Sequence, residues 1–356
     1  MNEADDPELH VQPEPAQESS VKYWAAAPSD EIGSELVDRT RKYYERMDRR
    51  GMFGRMRRSY LEYYGISQDG TYDSSAVGFG GEQGETILVK ANHYRSLIQR
   101  ALTMVTANRP SFEPRATNVD AKSQAQVIVA DGVLEHYMRV KRLERKMRDS
   151  AEAAQVFGRA YMRLLWNANA GEPYAVDPET GTQVNEGDVE VDMLTPFDLV
   201  KDERRPFEDL DWVIVRGWRN KHDLIARYPE LDSEIDGSDG WVDTFRFTLQ
   251  GRLEDGDTDD VAVFTFYHRP TDALPQGREV TFVSADGVLF DGPLPYDRIP
   301  VVPISPGEVI GTSDGYTTAW DLLNLQSVID SVLSSAASNY EAFAQQNVVM
   351  EEGSDV

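Results

Sequence analysis

The apolar positions of this 356-residue chain follow a helical spacing first, then an alternating one, then a helical one again near the end. Residues 1–37 show no period and are rich in Glu, Pro, Ser and Ala, the composition of a flexible arm. From Asp38 the chain turns basic and aromatic, through Arg39, Arg41, Tyr43, Tyr44, Arg46 and Arg49. That stretch predicts a helix broken near Gly51 and Gly54 and resumed to about Gly65. Residues 68–84 are glycine-rich and read as a loop. Asn92 is placed to cap a helix whose apolar residues Tyr94, Leu97, Ile98, Ala101, Leu102 and Val105 share one face, ending at Asn108-Arg109-Pro110. Asp120 opens a second helical region through Val127, Val133, Leu134 and Tyr137, with a break near Val140 before Leu143, Met147, Ala151 and Ala154. Its outer face is basic, with Arg139, Lys141, Arg142, Arg145, Lys146 and Arg148.

The period then falls to two. Arg159–Trp166 and Asp188–Leu194 predict a hairpin with a long polar tip, and Trp212–Trp218 a third strand. Asn220 caps a short helix ending at Tyr228-Pro229, followed by an acidic loop with Asp232, Glu234, Asp236, Asp239 and Asp243. Val261–Arg269 is a further strand, and Glu279–Phe290 a hairpin about Asp286-Gly287. Helices followed by strands, without repeated strand–helix alternation, give an α+β fold.

The last element is long: a helix capped by Asp314 and running to about Gln346 would span about 48 Å. Leu325, Val328, Ile329, Val332, Leu333, Ala336, Tyr340 and Phe343 keep helical spacing, and no charge occurs from Ser331 to Tyr340. Small residues, Ser334, Ser335, Ala336, Ala337 and Ser338, occupy the remaining faces. Such a helix is ill suited to water and calls for neighbours on more than one side. One alternative is a buried helix of a single-chain bundle. The absence of a second helix of matching length favours packing between chains, with Leu325, Val328, Ile329, Val332, Leu333, Ala336 and Tyr340 as the subunit interface.

Charge narrows the function classes. Lys and Arg number 36 against 62 Asp and Glu, a net −26. A protein that grips DNA neutralises phosphates with basic side chains, so this sign opposes ordinary nucleic-acid binding. It is compatible with a wall past which DNA slides without sticking. No stretch approaches the ~20 apolar residues of a membrane span, and Met1–Ser20 lacks the basic start and apolar run of a signal peptide.

Catalytic signatures are missing from the sequence. There is no cysteine, and His10, His93, His136, His222 and His268 lack metal-ligand spacing. Gly78–Gly84 resembles a phosphate-binding G-x-G-x-x-G, but Gln83 stands where the third glycine belongs. Asp255–Asp260 begins like a calcium loop, then puts Asp260 in the place of the turn glycine. No catalytic residue, metal ligand or cofactor is expected, although spatial pairs of carboxylates stay open.

Several phrases, in order, resemble portal proteins of tailed bacteriophages, especially the short-tailed type. They are Ile98–Phe112, Gln124–Tyr137, Ala151–Trp166, Thr195-Pro196-Phe197-Asp198, Arg227-Tyr228-Pro229, Arg298–Pro303 and Gly311–Gln326. The resemblance runs from about Tyr43 to Asn347, and no single phrase is diagnostic. It implies a structural subunit and no enzyme: a ring, typically of twelve copies, at one capsid vertex, assembled in the host cytoplasm and carried in the virion. Genomic double-stranded DNA would pass through without sequence-specific binding. Partners would be other copies, the large terminase subunit, the major capsid or scaffolding protein and a head–tail adaptor, with no membrane.

By this mapping residues 1–37 are an arm and 38–311 the portal wing, helical over 38–158 and mainly strands over 159–311. Residues 312–347 are the first stem helix, and 348–356 begin the clip. The second stem helix and the rest of the clip are then missing, so the chain reads as truncated. Two alternatives remain open: another viral structural or assembly protein, and a carboxylate-dependent hydrolase.

Overall fold

The computed structural model describes residues 23–66, 77–80, 86–107, 112–116, 118–176, 183–236 and 259–344. The chain is an α+β protein. Helices α1 (Ser29–Arg49), α2 (Met52–Tyr64), α3 (His93–Val105), α4 (Ala121–Val140) and α5 (Leu143–Phe157) come first, with a hairpin of β1 (Val77–Gly80) and β2 (Thr86–Val89) between α2 and α3. The strands β3 (Ala160–Asn167), β4 (Pro173–Val176), β5 (Gln183–Asn185), β6 (Asp188–Leu194), β7 (Leu199–Lys201) and β8 (Trp212–Asn220) follow. After α6 (Lys221–Arg227) and α7 (Asp232–Asp236) come β9 (Asp260–His268), β10 (Arg278–Phe282), β11 (Val288–Gly292) and β12 (Val301–Ile304). The long helix α8 (Ala319–Ala344) is the last element among the described residues.

Two antiparallel sheets carry the second half. One has the order β11-β10-β9-β8-β7, the other β12-β3-β6. Alternation along each strand divides the residues between two cores. Phe264 and Phe266 of β9, Ile214 of β8 and Phe282 of β10 face the helices, where Tyr43, Tyr44, Phe53, Tyr63 and Phe157 are buried. Val213 and Val215 of β8 and Tyr267 of β9 turn to the opposite face and meet Tyr161, Leu194 and Val301 of the three-stranded sheet. Pro303 lies in β12, an edge strand, where its missing N–H breaks no interior ladder. A third small core forms where α6 and α7 cover Val261, Val263 and Val283.

Several boundaries differ from the sequence reading. The arm expected over 1–37 contains the first half of α1, with Ile32, Leu36 and Val37 buried; residues 1–22 lie outside the described residues. Asp30 and Glu31 sit in the first turn of α1, where acidic groups complement the helix dipole. Gly51 and Gly65, both with left-handed φ, delimit α2, and Gly54 lies inside it without breaking it.

Gly78 and Gly80 belong to strand β1 and not to a loop; Gly81–Gly84 fall outside the described residues. The acidic loop begins as the helix α7, with Ile235 as its buried anchor; Asp239 and Asp243 lie outside. Asn92 and Asn220 cap their helices as expected, Asn92 Oδ1 accepting from Arg95 N at 2.8 Å. Asp120 makes no side-chain cap bond.

Candidate assembly interface

The root of α8 is fixed by close packing and buried charge. Gly158, at φ +81, lies where an added Cβ would stand 2.8 Å from the Trp320 ring. Trp320 Nε1 donates to Val156 O at 3.1 Å, and Trp320 packs into the helical core with Ala319 and Leu323. Asp314 does not cap the helix, which starts at Ala319, where Ala319 N donates to Thr317 Oγ1 at 3.2 Å. Instead Asp314 is buried between Lys201 Nζ at 3.2 Å and Arg50 Nη2 at 3.0 Å, and Arg50 also reaches Glu203 at 3.1 Å. Lys201 donates to Ser313 O as well. Burial pulls the Lys201 ammonium down to about 8, against the opposing pull of Asp314. The network joins α1, the end of β7 and the loop before α8, so the helix leaves the body at a fixed point.

Further along, one face of α8 holds the strand β2 through side-chain hydroxyl, carboxylate and amide groups. Ile87 N donates to Ser338 Oγ at 2.8 Å, Val89 N to Ser334 Oγ at 2.9 Å and Ala91 N to Asp330 Oδ1 at 3.0 Å. Gln326 completes the series, accepting from Tyr94 N at 3.1 Å and donating to Ala91 O at 2.8 Å. The spacings match: four helical residues rise about 6 Å and two strand residues about 6.6 Å. Each serine uses its hydroxyl proton on its own helix, Ser334 on Asp330 O at 2.7 Å and Ser338 on Ser334 O at 2.9 Å. Its lone pairs are left for the strand amide. On the flank, Arg58 of α2 donates to Asn324 Oδ1 at 3.0 Å and Ser327 Oγ at 2.8 Å.

The opposite face is apolar and bare. At about 100° per residue, Leu325, Val328, Val332, Ala336, Tyr340 and Phe343 centre on the side away from Gln326, Asp330, Ser334 and Ser338. Leu325 is 54% exposed, Val328 58%, Val332 62% and Tyr340 80%. Ala336 and Leu333 are also exposed, and Ile329 is half-buried. The seven residues expected at an interface thus lie on one stripe that its own chain leaves largely open among the described residues. Ser334 and Ser338, small residues that the sequence places on the remaining faces of the helix, are half-buried against β2 of the same chain. Sequence reasoning missed this polar stripe; its signal was the four-residue spacing of Gln326, Asp330, Ser334 and Ser338. Asp330 is likewise turned inward, so its charge does not add to the outer surface, while Asp321 accepts from Tyr316 at 2.6 Å.

The remaining candidate chemistry is dispersed. His268 is buried, with Nε2 2.7 Å from Tyr23 Oη and Nδ1 2.7 Å from Arg269 O, and burial lowers its pKa. His93, His136 and His222 are exposed and lie on different elements; His10 and the stretch Asp255–Thr258 are outside the described residues. Among the described residues no group of three or more His, Asp or Glu is placed to hold a metal ion, and no helix is long and apolar enough to cross a membrane. Comparison with family models gives no match to this chain, and comparison with curated proteins gives none either.

Proposed function

We propose that this chain is the subunit of a tailed-phage portal, a ring at one capsid vertex through which double-stranded DNA is packaged and ejected. The observation that carries the reading is the bare apolar stripe of α8, from Leu325 to Phe343, on a helix rigidly rooted in an α+β body. In water such a stripe favours a partner, because each buried Leu, Val or Phe side chain contributes about 1.5–3 kcal/mol. A second copy supplies that partner, and a ring supplies it for every copy. The ordered phrases from Ile98 to Gln326 support the portal over other assemblies, and the net −26 suits a channel that DNA must not adhere to. The ring would also dock the large terminase subunit, the capsid or scaffolding protein and a head–tail adaptor. A different viral assembly protein would use the same stripe, so the shape of the assembly discriminates between them.

The test is mass photometry and negative-stain microscopy of the protein and of a Val328→Arg, Val332→Arg variant. Closed rings of many copies are expected for the parent and monomers for the variant, with unchanged circular dichroism. A parent that stays monomeric at every concentration, or variant rings as complete as the parent's, would sink the proposal; filaments would point to the other assembly class.

A further inference from the structure

The junction between α4 and α5 is a second unusual surface. Six of the chain's 36 Lys and Arg fall within residues 139–148, against the single acid Glu144. Two of the six turn inward onto β6: Lys141 pairs with Asp188, and Lys146 donates to Val191 O. The other four, Arg139, Arg142, Arg145 and Arg148, recur every third residue and are exposed. Arg139 and Arg145 make only long, exposed pairs within their own helices, to Glu135 at 3.5 Å and Asp149 at 3.7 Å. Arg142 and Arg148 make no ion pair among the described residues.

The backbone at this corner is an independent observation. Arg142 is the one non-glycine with positive φ among the described residues, at φ 51 and ψ 44. Glycine or asparagine holds that conformation with less strain. Strain of this kind persists only where the surrounding structure holds it, and it clusters at functional sites. Here it projects a guanidinium from the apex of a helix–helix corner.

We propose that the Arg142 corner is a subunit contact that binds an acidic patch of a neighbouring copy, the one carried by α7 and the turn before it together with Asp223 of α6. Asp223, Glu230 and Asp232 are exposed there and make no ion pair among the described residues. The two faces rest on different sheets: α5 packs against β3 and β6, and α6 against β8. A head-to-tail ring requires two different, complementary patches on each copy, and these two have opposite charge. A nucleic acid fits less well, because the net −26 of the whole chain opposes the approach of a polyanion. The inference rests on the ring proposed above and adds a specific, salt-sensitive contact to it.

Charge exchange in the full chain tests it, with assembly followed by mass photometry over protein and salt concentration. Arg142→Glu with Arg148→Glu, and separately Asp223→Arg with Asp232→Arg, should each raise the concentration for half-assembly by about tenfold or more at low salt. Combining all four substitutions should restore most of the loss. Arg142→Gly keeps the fold distinguishable from the contact: it removes both charge and strain, so it should melt no earlier than the parent and still assemble more weakly. Arg142→Gly or the reversed arginine pair assembling as tightly as the parent overturns the inference while leaving the ring intact. Loss of DNA retardation in gels by the arginine variants, with assembly unchanged, also overturns it and assigns the corner to nucleic acid. A parent that never assembles removes this inference together with the ring.

Discussion

Ser334 stands to Val89 as a neighbouring strand would, its Oγ accepting the Val89 amide at 2.9 Å while its own proton returns to Asp330 O. Ser338 repeats the arrangement with Ile87. Strand β2 is thus hydrogen-bonded by β1 on one side and by a helix on the other. The helix presents serine and not a larger residue because the backbone of β2 must come close enough for its amides to reach the hydroxyls. The consequence for assembly is geometric: the hairpin covers the stripe of Gln326, Asp330, Ser334 and Ser338 and leaves the apolar stripe on the far side free.

Replacing both serines by alanine should release the hairpin without unfolding the body. Each half-buried amide left without an acceptor costs about 1–3 kcal/mol. Hydrogen exchange should therefore lose protection at Ile87 and Val89, with the amides of β8 and β9 unchanged. Equal protection in the variant would show that the serines do not hold the strand.

Gly158 is where the root of the long helix tolerates least. A Gly158→Val substitution places a Cβ within 2.8 Å of Trp320 and 3.2 Å of Gly315 O, at φ +81. Left-handed strain and overpacking together should destabilise the fold by about 2–4 kcal/mol. Urea titration would show it as an earlier midpoint; a midpoint within error of the parent's would contradict the packing described.

The elements with a strong period were legible in the sequence, including the helix from His93, the β3–β6 and β10–β11 hairpins, and the uncharged stripe of α8. What was not legible had a common physical cause. The start of α1 was hidden because its buried residues, Ile32, Leu36 and Val37, are set among acids that belong to a first turn. Asp314 has the residue type of a cap, but its carboxylate is drawn to Lys201 and Arg50, which lie more than a hundred residues away in sequence or at the far end of α1. The role of Ser334 depends on β2, some 245 residues earlier. Local pattern encodes faces; it does not encode which distant backbone meets them.

Asp314 is the group on which the root network depends. Asp314→Asn leaves Lys201 buried without its carboxylate and should cost about 3 kcal/mol, near the lower end for breaking a buried pair, because Lys201 can give up its proton. Lys201→Met should cost less, since Arg50 still holds Asp314. Thermal melts of the two variants check the order, and exchange at Gly315–Trp320 should rise in Asp314→Asn first. A reversed order would mean that Lys201, and not Asp314, organises the site.

Alkaline pH should act on the fold in two opposite phases. Burial pulls Lys201 down to about 8 from 10.5, so between those values the unfolded chain binds a proton that the folded lysine has lost. Stability gains from this group as pH rises through that window, by about 3 kcal/mol at most. Burial pushes Tyr44, Tyr94 and Tyr267 up to about 12 from 10.0, so each keeps its proton in the fold after the unfolded chain has lost it. Their contribution is intact below the unfolded value and is lost as pH climbs through the folded one. Urea midpoints should therefore hold or rise from about pH 8 to 10 and fall steeply towards 12, where tyrosinate absorbance should appear together with unfolding. In Lys201→Met the early gain should vanish and the later fall should remain. A parent whose stability declines steadily from pH 8, or a variant with the same profile as the parent, would show that the buried lysine does not titrate in the fold as its surroundings require.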